Sequence, residues 1–130
     1  MKVLLVGSGG REHALAWKLA QSPRLTKLFA SPGSDAIGTL TGVADCVDLP
    51  DHEAIAAFCA QEAIELVIVG PEAPLVAGLA DRLSQAGVPV FGPSQAAARL
   101  EGSKAFSKTF MRAQGIPTAA FHRFKDISAA

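Results

Sequence analysis

The distribution of apolar residues along the chain predicts short strands separated by helices. Compact apolar runs at residues 4–6 and 66–69 are typical of strands that are buried on both faces. Weaker apolar stretches predict three further strands, at residues 26–30, 43–49 and 88–91. Because strands buried on both faces need helices above and below them, this pattern favours a parallel sheet covered on two sides.

Apolar residues between these strands recur at the spacing of a helical turn. This spacing predicts three helices, whose apolar faces carry Leu15 and Leu19 in residues 11–21, Ile55, Phe58 and Cys59 in residues 51–62, and Leu75, Leu79 and Leu83 in residues 74–86. Asp51 is the expected N-cap of the second helix, while Pro74 is expected to begin the third and Gly87 to end it. The predicted fold is α/β, with right-handed βαβ units in a doubly wound, mainly parallel, five-stranded Rossmann-like sheet.

The pattern changes after Gly92. Two helices are predicted there, followed by an edge or linker strand and the start of another helix, at residues 94–100, 103–113, 118–124 and 126–130. The second of these helices carries a cationic stripe, Lys104, Lys108 and Arg112. Such a stripe is either a solvated face or, where it lines a site, suited to a polyphosphate. We therefore divide the chain into a domain at residues 1–92 and a helical extension at residues 93–130, which we expect to be truncated.

Composition narrows the possible functions. The chain has 130 residues, 49% of them hydrophobic, and its 12 basic and 12 acidic residues give a net charge of zero. This balance leaves no broad field to attract nucleic acid or an anionic membrane. Cys46 and Cys59 have neither redox-pair nor staple spacing, so we expect two reduced thiols that act as small apolar residues. Without a signal peptide or an apolar span in the sequence, a soluble and cytoplasmic protein is expected.

A glycine cluster directly follows the first predicted strand, in the sequence Gly7-Ser8-Gly9-Gly10-Arg11. Glycines at this place let the backbone turn tightly and approach a ligand, and the first amides of the next helix are unpaired donors for an anion. A phosphate is therefore expected at residues 9–11, although the cluster could also be only a tight turn. Arg11 either clamps that phosphate or merely begins the helix.

The loops after parallel strands meet at one edge of the sheet, where such folds bind ligands. Residues 7–11, 31–35, 70–74 and 92–94 are therefore expected to converge on one crevice. Glu72 lies in one of these loops between Pro71 and Pro74, so it is either a ligand-binding carboxylate or a solvated loop acid. The three histidines, His13, His52 and His122, have no metal-site spacing, and His13 is interpreted as a helix-surface or packing residue.

Five segments resemble one enzyme family in order and in spacing: residues 7–14, 70–75, 91–93, 100–106 and 115–119. The resemblance, which runs from Met1 to Phe124, is to the N-terminal part of glycinamide ribonucleotide synthetase, also called phosphoribosylamine–glycine ligase, in the ATP-grasp superfamily. The sheet would then be the domain that precedes the ATP-grasp body. Ser34 departs from the family pattern, in which asparagine usually follows the proline-glycine turn. The family's enzymes are also much longer than this chain.

The resemblance implies a ligase of purine biosynthesis that joins glycine to phosphoribosylamine and hydrolyses ATP to ADP and phosphate. It implies that Gly9, Gly10 and Arg11 hold the 5′-phosphate and that Glu72 orients the ribose or the amine. Gly70 and Pro71 would shape the loop of Glu72, while Lys104 would contact ATP. ATP and Mg²⁺ or Mn²⁺ would bind in the full-length enzyme, so this segment alone is expected to be inactive and to carry no catalytic or metal-binding residue. Its partners would be small-molecule substrates and the remainder of its own chain.

Two other classes of protein stay open at this stage. One is a nicotinamide-dependent dehydrogenase module, although Glu12 replaces the third glycine of G-x-G-x-x-G and no acid ends the second strand. The other is a non-catalytic module that binds a nucleotide or a partner. Because the aromatic residues after Gly102 would be covered by the ATP-grasp body, we expect that segment to be loosely ordered or packed against another copy.

Overall fold

The computed structural model describes residues 1–40 and 44–124. Its strands are β1 (Lys2–Gly7), β2 (Lys27–Pro32), β3 (Ala44–Cys46), β4 (Leu66–Val69) and β5 (Val90–Phe91). They pair in the order β3-β2-β1-β4-β5, and every pair is parallel. This confirms the predicted five-stranded parallel sheet. Residue 43, the expected start of the third strand, lies outside the described residues.

The helices are α1 (Gly10–Ala20), α2 (Asp35–Gly38), α3 (His52–Glu62), α4 (Glu72–Val76), α5 (Leu79–Gln85), α6 (Gln95–Gly102) and α7 (Lys104–Ala113). The helices cover both faces of the sheet. Alternate residues of the central strand, β1, pack against helices on opposite faces. Leu4 and Val6 pack with α3, α4 and α5, while Val3 and Leu5 pack with Ala16 and α2. The sheet is therefore doubly wound, and each fully buried leucine contributes about 1.5–3 kcal/mol of hydrophobic free energy. No helix within the described ranges is both long and apolar enough to cross a bilayer.

The structure of helix α3 confirms the predicted N-cap. The Asp51 carboxylate accepts a hydrogen bond from the backbone N–H of Ala54 at 2.8 Å, which is the geometry of an N-cap. Glu53 in the first turn makes two 2.6 Å hydrogen bonds with Arg82 of α5. The two helices on this face of the sheet are thus joined through their side chains as well as through the core.

The prediction of a single helix at residues 74–86 is wrong, because the chain forms two helices, α4 and α5, with a break between them. Gly78 has a φ of +95°, a left-handed conformation that ends the first helix and redirects the second. Pro74 does not begin α4 but lies in its first turn, where a missing N–H leaves no helical hydrogen bond unmade. Gly87 does end α5, with a φ of +75°.

Helix α1 buries only part of the face that Leu15 and Leu19 predict. Ala16 is buried against the sheet, whereas Leu15 and Trp17 are exposed. Leu19 is half-buried beside the core. The buried residues of this helix are Glu12 and Ala16, one turn apart, and Leu19 packs against the core beside them.

The strand predicted at residues 118–124 is absent from the described chain. These residues pair with no described strand, and an isolated strand cannot satisfy its own backbone groups. They instead lie against α7, where Lys108 and Arg112 stand 5.8 and 4.7 Å from the centre of the Phe121 ring. The cationic stripe therefore packs against its own chain rather than forming a fully solvated face. The helix expected at residues 126–130 lies outside the described residues.

The two cysteines have different environments, although both were expected to act as apolar residues. Cys59 is 2% exposed, and burial raises the pKa of its thiol to about 11, whereas Cys46 is exposed. Because the thiolate is the reactive species, a disulfide reagent at pH 8 is expected to modify Cys46 rapidly and Cys59 only after denaturation. Mass spectrometry of the labelled peptides measures both rates. Equal rates in the native protein would contradict this assignment.

Candidate functional site

The central crevice lies at the carboxyl ends of β1 and β4. These strands are neighbours, yet β1 leads into α1 on one face of the sheet and β4 leads into α4 on the other. A hydrogen bond of 3.0 Å from the N–H of Gly70 to the carbonyl of Val6 holds the two strand ends together. In open parallel sheets this reversal of direction leaves a gap between the connecting loops, where ligands bind.

The glycine loop forms one wall of this crevice. Gly7 has a φ of +128°, and Gly9 is the N-cap of α1. Helix α1 therefore begins at Gly10. This start places the first backbone amides of the helix at residues 10 and 11, where the phosphate is expected. Residues 8–11 are exposed, and the side chain of Arg11 is 57% exposed. The start of the helix is thus open to a ligand from solvent.

Glu12 fills the floor of the crevice, and sequence reasoning did not identify it as a site residue. The residue is only 4% exposed. Its Oε2 accepts a hydrogen bond of 2.8 Å from the backbone N–H of Gly9, and its Oε1 accepts one of 2.8 Å from Nε of Arg11. The sequence does contain a signal for this role. Glu12 lies three residues after the N-cap, a position from which a glutamate commonly accepts a hydrogen bond from the N-cap N–H.

Two glycines leave room for the Glu12 side chain. A Cβ atom at Gly70 would overlap Oε1 of Glu12 and lie 2.7 Å from its Cγ. A Cβ atom at Gly7 would lie 2.8 Å from the Glu12 carboxyl carbon and 3.0 Å from the Pro71 ring. Glycine at these positions therefore reflects close packing around a buried carboxylate, a requirement that the strand-and-turn pattern alone did not reveal.

Arg11 and Glu12 perturb each other's ionisation. Burial alone would raise the pKa of Glu12, but hydrogen bonds from Arg11 and from the Gly9 N–H outweigh it and lower this pKa. The hydrogen bond to Glu12 is the largest cause that raises the pKa of Arg11, and the charges of Glu72 and Glu101 add to it. Arg11 and Glu12 thus form an ion pair that stays charged at neutral pH, and the acids Glu72 and Glu101 also act on the Arg11 charge.

The structure brings together most of the predicted substrate-binding residues. The glycine loop adjoins the loop of Gly70, Pro71 and Glu72, because Gly70 lies against Glu12 and Pro71 lies against Gly7. Glu72 is exposed and shares a pocket of about 400 Å³ with Glu101. Lys104 lies elsewhere, in a pocket of about 450 Å³ with Lys108, Phe121 and Phe124. The predicted site residues therefore fall into two groups, one at the carboxyl ends of β1 and β4 and one on α7.

Only three of the four predicted loops meet at the crevice. The N–H of Gly33 donates to the carbonyl of Gly7 at 3.2 Å, so the loop after β2 adjoins the glycine loop. In the loop at residues 92–94, Gly92 instead packs against Leu75 of α4. Ser94 instead lines a separate pocket with residues of α5. Ser34 caps α2 through a hydrogen bond from the N–H of Ile37 at 3.4 Å.

The geometry does not support a dinucleotide site. Strand β2 ends in Ala30-Ser31-Pro32, without the acid that holds the ribose hydroxyls in such sites. Glu12, which is buried, also occupies the position of the third glycine, the residue that lets helix and strand pack closely in such sites. Within residues 1–40 and 44–124, no group of three or more His, Cys, Asp or Glu side chains could hold a metal ion.

Solved structures share this architecture. The chain superposes on N5-carboxyaminoimidazole ribonucleotide synthetase from Thermotoga maritima with a TM-score of 0.66 and 18% identity, over 98% of this chain and 34% of the other, which supports the fold alone. It superposes on phosphoribosylamine–glycine ligase from the same organism with a TM-score of 0.67 and 29% identity, over 94% of this chain and 27% of the other.

Sequence similarity narrows the relationship. The chain is 58% identical to phosphoribosylamine–glycine ligase from Rhizobium meliloti (strain 1021) over all of its 130 residues. It spans about 30% of the length of that relative. A family model described as phosphoribosylglycinamide synthetase, N domain, matches residues 1–101. This match, over more than half of the chain, shows that the chain belongs to the phosphoribosylglycinamide synthetase N-domain family.

Proposed function

We propose that this chain is the phosphoribosylamine-binding part of a ligase that joins glycine to phosphoribosylamine in purine biosynthesis. The supporting observation is that the open N-terminus of α1 adjoins the loop of Gly70, Pro71 and Glu72 at the carboxyl ends of β1 and β4. A phosphate needs amide donors and a cation, whereas a sugar hydroxyl or an amine needs an acceptor. The two walls offer these complementary groups, and the chain's relatives catalyse this reaction according to their names.

Each predicted residue has a separate role in this proposal. The backbone amides of Gly10 and Arg11, together with the Arg11 guanidinium, bind the 5′-phosphate. The N–H of Gly9 already donates to Glu12, so Gly9 contributes a close approach of the backbone rather than a hydrogen bond. Glu72 orients the ribose or the amine, and Gly70 and Pro71 fix its loop.

The remaining steps belong to the longer ligase. Lys104, in its pocket with Lys108, is the proposed ATP contact within this chain. The divalent cation, Mg²⁺ or Mn²⁺, would neutralise phosphate charge during transfer to the glycine carboxylate. The absence of metal-binding residues from this chain stays a prediction. The division after residue 92, a cytoplasmic location, inactivity of the chain alone and loose order or self-association after Gly102 stay predictions.

Calorimetric titration of the chain with ribose 5-phosphate and with NAD tests the proposal. Ribose 5-phosphate carries the phosphate and sugar of the proposed substrate, so it is expected to bind in a salt-dependent manner while NAD does not. Binding of NAD with no binding of ribose 5-phosphate would support the dehydrogenase alternative. Binding of neither would contradict the proposed site and favour a module of another kind.

Gly9→Val is expected to weaken ribose 5-phosphate binding at least tenfold. A Cβ at residue 9 would lie 3.0 Å from Oε2 of Glu12, so the bulkier residue disturbs the loop as well as blocking the approach of a phosphate. Gly38→Ala is the matched control, because its Cβ would make only an ordinary 3.7 Å contact with Cys46. Calorimetry measures both affinities. Unchanged binding by Gly9→Val would mean that the loop is only a turn.

A further inference from the structure

Glu12 is a buried acid whose two side-chain hydrogen bonds both go to groups at the ligand-facing end of α1. One partner is the N–H of Gly9, which is the N-cap, and the other is Nε of Arg11. An acid needed only to cap the helix would require the first of these bonds. The second bond holds Arg11, whose side chain is 57% exposed even with this bond in place.

We propose that Glu12 is a positioning residue that holds the Arg11 guanidinium in the orientation required to grip the phosphate at the start of α1. This inference rests on the proposed function, because it assigns the phosphate to Gly10 and Arg11. It makes Glu12 part of the binding apparatus although its carboxylate does not touch the ligand.

The geometry of the guanidinium supports this role. A hydrogen bond at Nε occupies one side of the planar group and leaves the edge formed by the two terminal nitrogens available. That edge matches two oxygens of a phosphate, and the described residues record no other side-chain hydrogen bond of Arg11. A long, exposed side chain loses rotational freedom when it binds a ligand. The bond to Glu12 would remove much of that cost before the ligand arrives.

The charge of Glu12 acts in the opposite direction. A carboxylate near a phosphate repels it, so a variant without the charge could bind phosphate more tightly if Glu12 did nothing for Arg11. The two effects differ in their dependence on Arg11. Positioning requires Arg11 to be present, whereas repulsion persists without it.

A test without ligand examines the contact itself. In NMR spectra of the chain, the Nε–H signal of Arg11 is expected to be visible and slow to exchange, and to be lost in Glu12→Gln. The Gly9 amide signal is expected to titrate with the Glu12 carboxyl group at a pH below the usual glutamate range. An Arg11 Nε–H signal that is equally protected in Glu12→Gln would overturn the positioning role, whether or not ribose 5-phosphate binds.

A double-mutant cycle measures the effect on binding. Glu12→Gln keeps an oxygen for the Gly9 N–H and is expected to weaken ribose 5-phosphate binding about 3- to 10-fold, the cost of ordering one long side chain. In an Arg11→Gln background the same change is expected to cause no loss. Glu53→Gln, which breaks the more exposed ion pair with Arg82 between α3 and α5, is expected to leave affinity unchanged.

The outcomes separate this inference from the proposed function. If the unmodified chain does not bind ribose 5-phosphate, the proposed function fails, and the NMR test still decides whether Glu12 fixes Arg11. If the chain binds but Glu12→Gln binds as tightly or more tightly, only the positioning role is overturned. An equal loss in both backgrounds would assign Glu12 a structural role instead.

Discussion

Gly7→Ala is expected to destabilise the folded chain by about 2–4 kcal/mol, combining backbone strain with overpacking. Gly7 has a φ of +128°, a conformation that an alanine adopts only with strain. The added Cβ would also lie 2.8 Å from the Glu12 carboxyl carbon and 3.0 Å from the rigid ring of Pro71. Urea unfolding monitored by circular dichroism measures the change in the free energy of unfolding.

Gly10→Ala is the control for this prediction. It adds the same methyl group three residues away, where no atom lies within 4 Å and the backbone is helical. Its free energy of unfolding is expected to change by less than about 0.5 kcal/mol. Adding Glu12→Ala to Gly7→Ala should relieve the contact with the carboxylate but not the backbone strain. Equal stability of the two single glycine variants would show that the crevice is more loosely packed than described.

The sheet could be predicted from the sequence because its signals are local. The apolar run at residues 66–69 and the glycines after residue 6 each specify one element without reference to the rest of the chain. Parallel pairing then followed from the alternation of strands and helices, and it placed Gly10 and Glu72 at the same edge. The location of the crevice was therefore predictable from the order of the elements.

The sequence-based predictions failed where contacts between residues far apart in the chain determine the local structure. Glu12 was interpreted as a missing glycine, because its burial depends on space left by Gly70 more than fifty residues later. The break at Gly78 was missed since Leu75, Leu79 and Leu83 keep helical spacing across it, and all three are buried. The loop at residues 92–94 was misplaced because packing of Gly92 against α4 cannot be deduced from strand order.

Glu72 has a more exposed environment than Glu12, and this difference separates their proposed roles. Glu12 is enclosed and satisfied by two hydrogen bonds within the protein. Glu72 is exposed in the first turn of α4, and its charge adds to the effects that raise the pKa of Arg11. A carboxylate that faces a ligand pocket is expected to affect ligand affinity more than stability, because its partner arrives with the ligand.

In a full-length ligase that contains this chain, Glu72→Ala is expected to raise the KM for phosphoribosylamine about 10- to 100-fold, the value of a hydrogen bond to a charged group. The KM for ATP should remain nearly unchanged, because the proposed ATP contact, Lys104, lies in a different pocket. Glu65→Ala is the control, since Glu65 is an exposed acid just before β4, at the opposite end of the strands, where its carboxylate accepts a hydrogen bond from the N–H of Lys2. Steady-state kinetics with each substrate varied in turn separate the two constants. Equal losses for both substrates would indicate a disturbed fold, and no change for either would make Glu72 a solvated loop acid.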